Sequence, residues 1–531
     1  MFRFLNRKIK YLHSLLGSEN HDQAPQKGDR LSGNLEKDIE KFKSLSGESP
    51  DIVIRKLTLR NNINAAIVFI DGLVLELVIR ENVLEPLVLC KEKEVLELKG
   101  NDLAAAIKNK VLPVASIQEK LSVEQIVNGV FSGDTMLLVD GSTRALLISA
   151  PGWERRMPAE PNTEVVVKGP REGFVETLRT NTSLLRRKIG HPGLTFEKLV
   201  LGQRTLTTVN IVYLKGVVRP ELVEEVKRRL KRISTDAILA AGNIEQFIED
   251  APFSPFMTVG YTERPDVAAA KLIEGRVAIM IDGAPVVNTV PALFIESFQS
   301  PDDYNSRPFY STLIRWFRYF SFLAGSMAPG FFVALVTFHQ EFLPTTLLIS
   351  MAGASEGTPF PAVVEAIGMG LVFEILREAG IRLPRAIGSA MSIVGALVIG
   401  EAAVSAGLIE SYMVIVVSFT AIASFVVPQL YDATALLRIA FTVMAGLFGI
   451  FGVMWVFLFL ILHLSSIRSF GVPYLSPISP LMPQDLKDVL VRAPIWTMIT
   501  RPESLGNVDP KRQEFNLMPQ AEDEKKSKGE S

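Results

Sequence analysis

The chain has 531 residues, 48% of them hydrophobic and 21% charged, and its 56 Lys and Arg nearly cancel its 57 Asp and Glu. That balance excludes the basic field of a nucleic-acid binder. The single cysteine, Cys90, excludes an intrachain disulfide framework and a cysteine-based zinc site.

In chain order, residues 1–50 are polar and turn-rich, and the opening MFRFLNRKIKYLHSLLG lacks the uninterrupted apolar core of a signal peptide. This segment reads as a flexible or weakly amphipathic N-terminal piece. Residues 51–300 read as α/β. Three stretches, VFIDGLVLEL, MLLVDGSTRALLI and VAIMIDGAPVVNTV, each place Asp-Gly between apolar runs. Asp-Gly between two strands predicts a hairpin, because a tight type I′ turn requires positive φ. Amphipathic helical patterns intervene at 122–131, 172–189 and 220–233, the last opening on Pro220 and ending in a basic turn. The Pro-rich stretch around 151–162 divides the region into subdomains 51–150 and 151–300. The repeated motif fits either a duplication or a common hairpin.

Residues 301–470 are different. Between Lys271 and Lys487 there is no lysine, and Tyr319 to Ile467 carries only about a dozen charges. A buried ammonium is costly in lipid, so this pattern predicts an all-α, multipass membrane domain. Four spans are predicted: Tyr319–Phe338, Ile387–Leu408, Tyr412–Val427 and Ile439–Leu462. The region 343–380 is broken by Pro359 and Pro361 and is either one crossing or re-entrant. Arg307, Arg315 and Arg318 ahead of the first span place the α/β region on the cytoplasmic side. Residues 471–531 read as a polar C-terminal tail.

No Walker A sequence, strand-linked G-x-G-x-x-G, H-E-x-x-H or G-x-S-x-G is present. This argues against an enzyme and implies no cofactor. His339 with Glu341 reads as an interfacial polar anchor, since two side chains are too few for a metal site. The ionisable residues of the apolar block carry more information. Glu401 lies deep in a predicted span with no charge one turn away, and it points to an ion path or to a polar contact with another subunit. Glu365 and Glu374 lie on the second half of the broken helix; Glu374 also fits a local pair with Arg377 at i+3. Gly395 and Gly400 share the Glu401 helix, as a packing face or as a pore wall. Ahead of the membrane block, Glu263, Arg264, Pro265 and Asp266 read as a solvated turn opening a helix, or as a coupling element between the two regions.

The ordered strings ETLRTNTSLLRRKIG, YTERPD, LIEGRVAIMIDG, FHQEFLP, PFPAVVEA, EILREAGIRLPRAIG, IVGALVIGEAAV and SFGVPYLSP resemble the A subunit of the GerA-type spore germinant receptors over residues 170–500. The resemblance implies a multipass protein of the spore inner membrane with two partners, a transporter-like B subunit and a lipoprotein C subunit. It also implies a homo-oligomeric ring that conducts cations when nutrient binds. The pore candidates Glu401, Gly395, Gly400, Glu365 and Glu374 come from the residues, not from the resemblance. A non-conducting scaffold that docks the B and C subunits is the alternative, as is a secondary transporter, although no repeat of membrane halves is visible.

Overall fold

The computed structural model describes residues 30–46, 49–59, 62–90, 95, 98–114, 116–149, 161, 164–383, 400–515 and 517–519. These form two compact units. The first draws on Met1–Asp250, Val259–Ala292 and Ala493–Ser531; the second on Ala251–Thr258 and Leu293–Arg492.

The first unit contains two five-stranded antiparallel sheets. The first sheet comprises β1 (Ile52–Thr58), β2 (Asn64–Ile70), β3 (Ile117–Lys120), β4 (Asp134–Val139) and β5 (Ala145–Ser149), in the order β1-β2-β4-β5-β3. The second comprises β6 (Leu194–Leu201), β7 (Thr207–Leu214), β8 (Gly260–Thr262), β9 (Val277–Ile281) and β10 (Val287–Val290), in the equivalent order β6-β7-β9-β10-β8. Element for element, the second sheet repeats the topology of the first.

The physics of the first sheet is legible in β2. Successive side chains of a strand point to opposite faces. Ala66, Val68 and Ile70 meet α1 (Leu35–Ser46) and α3 (Val123–Phe131) on one face. Ala65, Ile67 and Phe69 meet the other layer, which includes α2 (Gly100–Ala106) and the helical run 76–89. A central strand covered on both faces must be apolar throughout, which is why NAAIVFI shows no alternation.

Three expectations change here. The segment 1–50 is not uniformly a polar flexible piece: Leu35, Ile39 and Phe42 recur at helical spacing and are buried against the sheet. The Asp38 carboxylate accepts from the Ser32 and Gly33 amides at 2.8 and 3.1 Å, which secures the start of α1. Asp140-Gly141 and Asp282-Gly283 connect the hairpins β4–β5 and β9–β10, with Gly141 at φ 82° and Gly283 at φ 87°. Asp71-Gly72 instead leads from β2 into a helical run, because Ile79, Val83 and Leu87 repeat every four residues and bury one face. Finally, residues beyond 471 are folded well past the apolar block. Arg501 Nε donates to the Ile273 carbonyl at 2.9 Å, the Val508 amide to Val217 at 3.1 Å, and Leu505 is buried.

The helices α4 (Leu178–Lys188), α5 (Pro220–Lys231), α6 (Ala241–Ile248) and α7 (Pro265–Ile273) complete the first unit. Arg186 of α4 joins its two subdomains. Its guanidinium is buried against Asp51 at 2.8 and 3.1 Å and lies over the rings of Phe131 and Phe196.

The second unit is helical: α8 (Pro308–Phe338), α9 (Thr345–Ser355), α10 (Ala362–Arg382), α11 (Ser411–Phe425) and α12 (Tyr431–Ser466), the last kinked at Gly449. Among the described residues two helices are long and apolar enough to cross a membrane, Pro308–Phe338 and Pro428–Ser466. They contain the first and last predicted spans. The third is represented by α11, whose 15 residues fall short of the roughly 20 a crossing needs. Ile387–Leu408 lies outside the described residues except for 400–408. The broken region forms α9 and α10, with Pro359 and Pro361 between them. Arg315 and Arg318, read as topology signals, are drawn into a buried ion cluster. Arg315 meets Asp303 at 3.2 Å and Asp488 at 3.1 Å, and Arg318 meets Asp303 at 2.8 Å.

Candidate functional site

The acidic residues of the helical unit fall into three environments. Glu365 stands in the first turn of α10, where the helix dipole favours a negative charge. It is 2% exposed. Its Oε2 accepts from the backbone N–H of Glu410 at 3.1 Å, while its Oε1 is buried without a partner among the described residues. Glu410 immediately precedes α11, is 4% exposed, and leaves its own Oε2 buried without a partner. The starts of two helices thus bring the buried Glu365 carboxylate onto the backbone amide of a second buried glutamate.

Glu374, farther along α10, is tied across the bundle. It accepts from Arg377 at 3.1 Å, from Arg438 of α12 at 2.5 Å and from the Tyr431 hydroxyl at 2.8 Å. The Arg377 guanidinium lies 3.9 Å from the centre of the Tyr431 ring. The i+3 pair is one edge of a four-residue network joining α10 and α12.

Glu401 is exposed on a helical turn at 400–405. Gly400 beside it is buried, and a Cβ there would meet Val414 at an ordinary 3.7 Å. Gly395 lies outside the described residues. The structure therefore brings Glu365 to Glu410, a residue that sequence reasoning passed over, and it brings Glu374 to Arg438; Glu401 stands apart from both. Glu410 falls between two predicted spans and so reads as a loop residue. Its signal is the polar pair Glu410-Ser411 directly before a long apolar run, the usual form of a helix start.

Residues 261–266 are built differently. Pro265 opens α7, its fixed φ suiting the first helical position, and Arg264 precedes it. Arg264 is 0% exposed. It donates to the carbonyls of Glu164 and Pro170 at 3.2 and 2.8 Å and to the Asp266 carboxylate at 2.8 Å. The Glu164 carboxylate accepts from the Thr262 hydroxyl at 2.6 Å and from the Glu263 amide at 3.0 Å. Burial pushes the Glu164 carboxyl above its usual range, and these two hydrogen bonds pull against that rise. The Glu263 carbonyl accepts from the Phe174 amide at 2.7 Å. The segment is thus a buried clasp between the stretch 164–174 and the start of α7, not a solvated turn.

Among the described residues no group of three or more His, Cys, Asp or Glu side chains is placed to hold a metal ion. The chemistry on offer is that of carboxylates in apolar surroundings, which attract protons or cations.

Comparison with known proteins accords with the ordered strings. The family model described as Bacillus/Clostridium GerA spore germination protein matches residues 40–504. Spore germination protein KA of Bacillus subtilis is 42% identical over 494 residues, covering 92% of this chain and 90% of that protein. The uncharacterized membrane protein YfkQ of Bacillus subtilis is 40% identical over 524 residues, covering 97% of this chain and all of that protein. Among solved structures, the N-terminal domain of the A subunit of the Bacillus megaterium spore germinant receptor GerK3 is 33% identical, covers 50% of this chain and 98% of that one, and gives a TM-score of 0.41. With the family matched over most of its length, the chain belongs to the GerA family of spore germination receptor A subunits.

Proposed function

We propose that this chain is a multipass subunit of a receptor in the spore inner membrane, with its α/β unit in the cytoplasm. It works beside a transporter-like B subunit and a lipoprotein C subunit, assembles into a homo-oligomeric ring, and passes cations when nutrient binds to a partner. Released ions then initiate germination.

The observation that carries this reading is Glu401, a carboxylate exposed on the single chain within an otherwise apolar stretch. A charge at membrane depth needs water or a polar partner, and a wet lumen between copies of the chain supplies both. Gly400 and Gly395 on the same stretch allow close approach of a neighbouring helix. Glu365 and Glu374 belong to the same acidic set and tie α10 to α11 and α12. Large apolar side chains left exposed on α8 and α12, among them Phe331, Leu447, Phe451 and Leu458, suit lipid contact. Tyr310 and Trp316, exposed near the start of α8, suit the aromatic belt at a membrane surface. The clasp at Glu263, Arg264, Pro265 and Asp266 is the candidate coupling element, because a rigid buried junction transmits a displacement that a solvated turn would absorb. Nutrient binding then opens the ring only as far as the assembly binds it better open than closed.

The test is expression of the full chain with its receptor partners in vegetative cells, recording potassium release and membrane potential. Glu401→Ala and Gly395→Leu are expected to change nutrient-dependent leak at equal protein level. If neither alters leak while partner binding persists, the chain is a docking scaffold and does not conduct.

A further inference from the structure

We propose that Glu365 and Glu410 form a proton-binding site, in which two buried carboxylates share one proton and so fasten the first turn of α10 to the start of α11. The proposal rests on geometry and stands whether or not the chain conducts ions.

The argument begins with what each oxygen has. The Glu410 amide satisfies Glu365 Oε2 at 3.1 Å. Glu365 Oε1 and Glu410 Oε2 are buried and have no donor among the described residues. An ionised carboxylate is acceptor-only, so with both groups ionised these two oxygens are acceptors with nothing to accept. A proton on one of them turns an acceptor into a donor, and the resulting O–H···O⁻ bond belongs to the short, strong, charge-assisted class. It also removes one of two like charges from an apolar site, where a pair of close carboxylates loses one ionisation. The adjoining residues Ala366, Met413 and Val417 belong to a buried apolar cluster and offer no dipole in place of the proton.

Other sources of compensation are taken up elsewhere. Among the described residues the helices packed most closely against α10 are α8, α11 and α12. On α12, Arg438 and Tyr431 are bonded to Glu374, and His463 meets Ser254 at 2.9 Å. On α8, Arg315 and Arg318 are held by Asp303, and at its end His339 lies 3.4 Å from the Ala334 carbonyl and abuts Gly449. On α11, Tyr412 bonds Ser350. Within α10, Arg377 pairs with Glu374 and Arg382 with Glu378. Glu401 and Asp432 are exposed. A metal cation is the weaker fit: the harder divalent ions want about six or more oxygen ligands, and only two oxygens here are open.

The proposal is tested by infrared spectroscopy of the purified full chain in lipid at neutral pH, following the carbonyl stretch of a protonated carboxyl group and its shift in heavy water. Wild type is expected to show the band. Glu365→Gln and Glu410→Gln are each expected to remove one such band in difference spectra against wild type, above the background from carboxyls such as Glu245, because the introduced amide donates to the remaining carboxylate just as the shared proton does. Both variants are expected to melt within a few degrees of wild type, whereas Glu365→Leu, which strands Glu410, melts well below them. No band in wild type, or no loss of band intensity in either glutamine variant, overturns the proposal. So does a melting temperature that follows added sodium, potassium or calcium and loses that dependence in the glutamine variants, which would mark a metal at this site in place of the proton. Should a glutamine variant fail to fold, the chain carrying Glu245→Gln decides the matter: a protonated-carboxyl band must remain after that substitution and disappear on raising the pH, and its absence overturns the proposal.

Discussion

Adding a methyl group at Gly330 tests the helix packing most directly. Gly330 lies on the buried stripe of α8 with Gly325, Ser326, Pro329, Val333 and Ala334. A Cβ at this position would stand 2.8 Å from the carbonyl carbon and oxygen of Phe441 and 3.0 Å from the amide nitrogen of Thr442, both on α12. All three atoms are backbone, so no side chain can rotate to make room, and the helices must part. Carbon atoms settle at about 3.5–4.0 Å, and a gap of about 0.5–1 Å forfeits roughly a quarter to a half of each dispersion contact around it. Overpacking of this kind costs about 1–3 kcal/mol. Against it stands the helix-propensity gain of Gly→Ala, about 1 kcal/mol. Gly370 of α10 isolates the two effects, because a Cβ there meets nothing within 4 Å. Both alanine variants share the propensity gain, so their difference is the packing cost, about 1–3 kcal/mol. At about 2–4 °C per kcal/mol for a unit of this size, Gly330→Ala is expected to melt several degrees below Gly370→Ala in thermal unfolding of the full chain in detergent. If Gly330→Ala melts at or above Gly370→Ala, the close approach of α8 and α12 is wrong.

Arg186→Ala is expected to cost about 3–5 kcal/mol, because it leaves Asp51 buried and unpaired. Arg186→Ala with Asp51→Ala should cost less than the sum of the two single changes in denaturant titrations, and simple additivity would contradict the buried pair. Glu245 on α6 is pushed up to about 7, first by burial and then by the neighbouring charge of Glu249. Its folded value lies above its unfolded one, so its contribution to stability is complete below the ordinary carboxylate range and is lost as pH rises towards about 7. Glu245→Gln should flatten the fall in melting temperature between pH 5 and 8, and an unchanged slope would refute the assignment. Arg264→Lys replaces a planar fork by a point charge that cannot reach the Glu164 carbonyl, the Pro170 carbonyl and Asp266 together. Limited proteolysis should then cut within 164–174 earlier than in wild type, and an unchanged cleavage pattern would count against the clasp.

Much of the architecture is visible in one dimension. The helices at 123–131, 178–188 and 220–231 form where apolar residues recur at helical spacing, and two of the three Asp-Gly pairs make hairpins. Asp71-Gly72 misleads because a local turn signal says nothing about the segment that follows, and Ile79, Val83 and Leu87 gain more by covering the sheet as a helix. The segment 35–46 reads as polar because most of its side chains are; three apolar residues on one face suffice to dock it. At the candidate site, the unusual position of Glu401 is legible from hydropathy alone. Glu410 is not, since its burial depends on the start of α10 arriving from 45 residues away.

Composition and periodicity determine by themselves that this chain divides into a charged α/β region and a nearly lysine-free helical one, because hydrophobic burial and charge solvation are set by residue type. They also determine where the helices break, since Pro359 and Pro361 act locally. Pairing is what only the tertiary structure decides. The i+3 spacing offers Arg377 to Glu374, but the fold adds Arg438 and Tyr431 from another helix. Arg186 finds Asp51 across 135 positions, and Glu365 meets the amide of a second buried glutamate where the sequence shows only a loop. The free energy of a buried charge depends on what lies within a few ångströms of it, and that neighbourhood exists only once the chain has closed on itself.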